Sequence, residues 1–200
     1  MNNIIILFII ISILIIFNIK YNYNKRLNRI IKYLNKTDKI LDFGCGKCCE
    51  TYKLKQLNYD ITGLDVNNNN NGLCLIPEFY DGKNINYPDN YFDVVICSFV
   101  LHHIPHYKYT LTELRRITKK YILIYEDTPN NSIDRYFTKL HSRSDWGKCE
   151  GCFKSTSEWI NFLKYDFKII NIEEISRFEI PFADMPLIYP VPATFFVIEK

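Results

Sequence analysis

The chain has 200 residues, enough for one globular domain plus an appendage, and with 48% apolar and 24% charged residues it is neither disordered nor fibrous. A formal net charge of +3 does not by itself imply a nucleic-acid partner, and no basic stripe interleaved with aromatics suggests one. Seven cysteines, odd in number and irregular in spacing, argue against a full disulfide framework and predict reduced packing thiols.

The first element is apolar. Ile4–Ile19 is Ile, Leu and Phe, broken only by Ser12 and Asn18, and it has no polar face with which to join a globular core. As a helix it falls slightly short of a ~30 Å hydrocarbon core, a mismatch that mild bilayer thinning covers. Tyr21 and Tyr23 follow it, and the basic residues Lys20, Lys25, Arg26, Arg29 and Lys32 cluster after it. No basic segment precedes it and no small-x-small cleavage site ends it, which argues against a removed leader. Residues 1–22 are therefore expected to be a single transmembrane anchor, with the domain of residues 23–200 facing the cytoplasm.

Tyr23–Leu34 places Leu27, Ile30, Ile31 and Leu34 on one face and predicts an amphipathic helix packed onto that domain. Lys39–Phe43 reads as a short buried strand, Glu50–Leu57 as a helix and Ile61–Val66 as a second strand. Asn67–Asn71 is a low-complexity loop. Leu73–Tyr80 holds a third strand interrupted by Pro77. Tyr91–Ser98 is the clearest buried strand, followed by a helix at Tyr107–Ile117 and a strand at Tyr121–Glu126. Asp127–Ser155 is polar and reads as irregular, and Thr156–Tyr165 is a helix capped by Ser155 or Thr156. Lys168–Ile175 and Ala193–Ile198 end the chain as two strands without a helix between them. The alternation predicts an α/β fold, a mostly parallel sheet with helices on both faces and an antiparallel edge.

Chemistry begins at Leu41-Asp42-Phe43-Gly44-Cys45-Gly46-Lys47-Cys48. A strand enters a Gly-x-Gly turn, in which Gly44, Cys45 and Gly46 let backbone approach a ligand, and a helix follows. Asp65 ends the next strand about twenty residues on, where a carboxylate can accept both hydroxyls of a ribose. This segment resembles the first motif of class I methyltransferases, and the domain is similar to their type 11 family. Tyr87-Pro88-Asp89-Asn90-Tyr91-Phe92-Asp93-Val94-Val95 with Leu101-His102-His103-Ile104 is similar to that family's fourth-strand block. Glu113–Arg116 and Tyr121–Ile124 match the helix and strand after it, so the likeness spans roughly residues 35–199. The resemblance implies a Rossmann-like sheet, S-adenosylmethionine as cofactor and methyl transfer as activity. It also implies Asp42 beneath the methionine part of the cofactor, and Asp81 with Gly82 near the adenine amino group. Two departures stand out: Cys48 replaces the family's third glycine, and the connection from Asp65 to the third strand is only about nine residues, where a parallel crossover needs a dozen. Both point toward weakened cofactor binding.

Ser98, just past the fourth strand, either lines the cofactor or ends the strand. His102 and His103 are candidate general bases, or else packing residues. The loop Asp127–Ser155, with Arg135, Tyr136, His141, Arg143, Asp145 and Trp146, lies where open α/β sheets bind substrates, and His141 or Arg143 can orient an acceptor. Cys149-x-x-Cys152 can bind a metal with His141, or the two thiols can bond to one another, yet packing thiols are the simpler reading, and no metal ligand is assigned. The acceptor is expected to be a small or lipid-like molecule. A degenerate binding module, and an oxidoreductase that binds a nicotinamide dinucleotide, are the competing functions.

Overall fold

The computed structural model of the protein describes residues 5–7, 9, 12, 24–67, 74–142, 149, 152–179 and 191–200. Its elements in order are α1 (24–31), β1 (Lys39–Phe43), α2 (Cys49–Gln56), β2 (Asp60–Asp65), β3 (Glu78–Phe79), β4 (Phe92–Ser98) and α3 (Tyr107–Ile117). They continue with β5 (Thr118–Asp127), α4 (Ser132–His141), α5 (Thr156–Leu163), β6 (Lys168–Ile175) and β7 (Ala193–Glu199). Single 3-10 turns lie at Leu101–His103 and Arg177–Glu179.

The seven strands form one sheet in the order β3-β2-β1-β4-β5-β7-β6. Neighbours from β3 to β5 are parallel, and β7 runs antiparallel to both β5 and β6. The expected Rossmann-like sheet is therefore present, with its reversed strand one place in from the edge. Successive side chains alternate between faces, and two cores result. Val95 and Cys97 of β4 pack with α3 and α5 through Leu111, Leu114, Ile117, Trp159 and Leu163. Val94 and Ile96 face the other way, onto Leu27, Ile30 and Leu34 near the N-terminus and Leu54 of α2.

The amphipathic helix α1 is anchored by charge as well as by burial. Arg29 donates to Glu173 at 2.7 Å and Glu179 at 2.8 Å, and Arg26 donates to Glu50 at 2.8 Å. Much of the basic cluster thus binds the domain itself. The expected anchor at residues 1–22 lies largely outside the described residues. Among the described residues no helix is long and apolar enough to cross a membrane.

Four expectations are corrected. The third strand shrinks to two exposed residues, because Pro77 lacks the N–H a ladder needs and pairing starts only after it. The crossover from β2 therefore occupies residues 66–77, the dozen that parallel pairing requires, so the connection is not short. The supposedly irregular stretch contains α4, whose N-cap Asn131 accepts from the Asp134 N–H at 2.9 Å. Its polarity is inverted: Asp134 and Thr138 are buried while Ile133, Tyr136 and Leu140 are exposed, so the polar residues hid the helix. Finally, Cys49 is joined to Cys74 and Cys149 to Cys152, with Cα separations of 4.9 and 5.5 Å that a disulfide spans. The first pair forms because the returning chain is fastened where Cys74 N donates to Lys47 O.

Gly63 lies in β2 opposite Asp42. A Cβ there would stand 2.8 Å from Cys45 Sγ, 2.9 Å from Cys48 Sγ and 3.1 Å from Thr51 Oγ1. Gly63→Ala is expected to destabilise the domain by about 1–3 kcal/mol through overpacking. Urea unfolding followed by circular dichroism measures this, and an unchanged midpoint would show that the two thiols move aside freely.

Candidate functional site

The parallel strands β1, β2, β4 and β5 end along one edge of the sheet, where open α/β folds gather their ligands. At that edge β1 turns sharply. Gly44 N and Cys45 N both donate to Leu64 O, at 2.8 and 3.3 Å. Gly44 has a φ of +68°, and a Cβ on it would fall 2.4 Å from the Val100 side chain. This position needs glycine for both conformation and space. Gly46, at φ +52°, has nothing within 4 Å of a Cβ position, which leaves the outer side of the turn open. Cys48 takes the left-handed conformation, φ 54° and ψ 28°, at the N-cap of α2. It therefore adopts the backbone that a glycine would, at a cost of about 1–2 kcal/mol. Cys48 does not abolish the turn.

Asp65 closes the turn from β2. Its carboxylate accepts from Gly46 N at 2.8 Å and from Asn67 N at 2.9 Å, and is held 9% exposed. Asp42 is buried under the same turn and accepts from the Thr51 hydroxyl at 2.5 Å. Burial first, then the nearby Glu50 charge, push its carboxyl up to about 7. Asp81 lies exposed after β3, with its carboxylate accepting from the backbone N–H groups of Lys83 and Asn84 at 2.8 Å. Gly82 next to it has φ +80° and places a Cβ position 3.5 Å from Val66, so this loop abuts the chain just past Asp65. Ser98 Oγ is buried with no hydrogen-bond partner among the described residues. The turn, Asp65, Asp42, the Asp81-Gly82 loop and Ser98 thus share the strand-end edge. They offer a nucleoside what it needs: open backbone, a carboxylate for a ribose and a bare hydroxyl.

The three histidines meet beyond β4. Ring centroids are 4.1 Å apart for His102–His103, 5.4 Å for His102–His141 and 5.1 Å for His103–His141. Phe153 stacks on His102 at 4.4 Å. His102 Nδ1 lies 2.5 Å from Glu126 Oε2, and both residues are buried. The other Glu126 oxygen accepts from Val100 N at 3.1 Å and Leu101 N at 2.7 Å. Burial disfavours the His102 imidazolium, but the Glu126 carboxylate outweighs burial and raises its pKa. Burial and the neighbouring histidines lower His103 to about 3, and burial with the His102 charge lowers His141 to about 4.

Glu126 was missed as a site residue. The signal was present: an acid ending the apolar run Tyr121–Tyr125 is buried and must be paired. Gly63 and Val100 were missed as well, since each acts only through contacts across the sheet edge. Arg143, Asp145 and Trp146 lie outside the described residues.

The depressed histidines make a pH prediction. The folded state keeps His103 and His141 neutral, whereas the unfolded chain protonates them near their ordinary 6.5. Their contribution to stability is present above pH 6.5 and is lost as pH falls toward 4. Asp42 and His102, with raised values, act in the opposite sense. His103→Leu should therefore lessen the loss of thermal stability on acidification relative to the native chain. Parallel pH–Tm curves for the two proteins would contradict it.

Comparison with known proteins agrees with this geometry. A family model described as a methyltransferase domain matches residues 17–170. The ubiquinone biosynthesis O-methyltransferase of Colwellia psychrerythraea is 28% identical over 112 residues, which cover 50% of this chain and 46% of that protein. The chain thus spans about half the length of this curated relative. A S-adenosylmethionine-dependent methyltransferase from Methanosarcina mazei superposes with a TM-score of 0.65 at 18% identity, over 86% of this chain and 96% of that one. The magnesium protoporphyrin IX methyltransferase of Synechocystis, solved with bound SAH, gives 0.62 at 15% identity over 92% and 86%. Those structures share the fold, and the family match spans most of the chain: this protein belongs to the methyltransferase-domain family of class I, with S-adenosylmethionine as its cofactor.

Proposed function

We propose that the protein transfers a methyl group from S-adenosylmethionine to an oxygen of a small or lipid-like acceptor, beside a membrane that residues 1–22 enter. The observation that carries this reading is the meeting, at one sheet edge, of the Gly44–Cys48 turn with Asp65 and the Glu126-held histidines. The turn and Asp65 grip the nucleoside. The histidines stand where the acceptor's proton has to leave. Methyl transfer itself needs alignment of oxygen, carbon and leaving sulfur more than it needs an acid or base.

An oxygen acceptor is supported by the relative from Colwellia, an O-methyltransferase by name. An apolar acceptor is supported by α4, which turns Ile133, Tyr136 and Leu140 outward and ends on His141. The membrane is supported by the unbroken apolar stretch at Ile4–Ile19, where the described residues Ile5, Ile6, Leu7 and Ile9 are all about half exposed. The basic residues that follow favour a domain facing the cytoplasm. The two disulfides favour an oxidising compartment instead. Protease protection in sealed vesicles decides the side, and release of the native chain by carbonate washing would sink the anchor.

A binding module without activity is the second reading, and Cys48 in place of a glycine is what favours it. Asp65→Ala should weaken S-adenosylmethionine about tenfold or more by calorimetry, since hydrogen bonds to a charged group contribute about 1.5–3 kcal/mol each. The native chain should also transfer labelled methyl groups to a component of a membrane extract. Unchanged affinity in Asp65→Ala would refute its role, and binding without any transfer would leave the module.

A further inference from the structure

His102, His103 and His141 each present a ring nitrogen, and these atoms lie within 4.8 Å of one another. Among the described residues no other group of three or more His, Cys, Asp or Glu side chains is so arranged. They arrive from two elements: His102 and His103 from the 3-10 turn after β4, His141 from the end of α4. His102 is oriented as metal-bound histidines are. Its Nδ1 faces the Glu126 carboxylate, which fixes the tautomer and leaves Nε2 as the donor. His103 Nδ1 is buried with no hydrogen-bond partner among the described residues. Phe153 covers the cluster on one side, a dry wall of the kind that strengthens such sites. Cys149 and Cys152 are bonded to each other and are not ligands in this state.

We propose that these three imidazoles bind one divalent ion of the zinc class, whose open position takes the acceptor oxygen. Three neutral imidazoles with an open fourth position suit a borderline ion such as zinc or cobalt(II). Metal–nitrogen bonds of about 2.0–2.1 Å set tetrahedral ligands roughly 3.4 Å apart, so modest ring rotations close the site. Val100 packs into the space beside Gly44, which places the histidine turn against the cofactor turn.

The role assigned to the ion rests on the methyl-transfer reading; the binding site does not. A hydroxyl of the acceptor coordinates the ion and loses its proton to solvent. The oxygen then forms a bond to the methyl carbon as the carbon–sulfur bond breaks. That electron pair stays on sulfur, and the products are a methyl ether and S-adenosylhomocysteine.

The test is titration of the full chain in detergent with cobalt(II), read as visible d–d absorption. One equivalent should bind. His103→Ala and His141→Ala should each abolish the signal, and Cys149→Ser/Cys152→Ser should keep it. Glu126→Gln should weaken binding about 10- to 100-fold, as loss of an outer-shell partner does. Absence of a stoichiometric signal in the native chain would overturn the proposal. So would a signal that survives both histidine variants and disappears with the cysteines. S-adenosylmethionine affinity, measured on the same proteins, reports separately on the methyl-transfer reading: metal bound without cofactor affinity defeats that reading alone, and cofactor turnover without metal binding defeats this one alone.

Discussion

The Glu126 carboxylate at the end of β5 is the constraint on which the site depends. A fully buried acid is tolerated only when each oxygen is engaged, and here one accepts two backbone N–H groups while the other meets His102. Those contacts fix the path of the chain as it leaves β4. The path delivers Val100 to the space beside Gly44 and turns His102 and His103 toward the end of α4. One side chain thus couples the glycine turn at one half of the edge to the histidine cluster at the other.

The half that holds the glycine turn has its own logic. Gly44 and Gly46 leave the β1–α2 turn bare, and Asp65 holds it through Gly46 N. Behind the turn, Cys45, Cys48 and Thr51 fill the space that Gly63 leaves empty in β2. Cys48 is accommodated there because its thiol packs into that space while its backbone takes the left-handed turn. A sequence departure from the family is thus matched by a second small residue across the sheet.

Much of this was legible because local chemistry determined it. β1, α3 and β6 have the boundaries their patterns predict, since each is bounded by turn residues or carries a clean period. The Gly-x-Gly turn and Asp65 were legible as a motif. What escaped depends on contacts distant in sequence. Helix α4 buries Asp134, which Arg177 reaches at 3.3 Å, and Thr138, so its pattern reads as a surface loop. Cys49 and Cys74 lie 25 residues apart in sequence, too far for local spacing to pair them. Glu126 was visible as the end of a strand, but its three partners lie 24 to 26 residues earlier. The convergence of three histidines could not be read from spacing, because His141 arrives on the helix that the pattern concealed.

Amide hydrogen exchange with and without S-adenosylhomocysteine tests the central claim most directly. That claim is that cofactor binding is shared between the glycine turn, the end of β2 and the chain that Glu126 positions. The account predicts slowed exchange at Gly44–Cys48, at Asp65–Asn67 and at Val100–His103, with α5 and β6 unchanged. Protection that spares Gly44–Cys48, or that appears only on the far strands of the sheet, would contradict it.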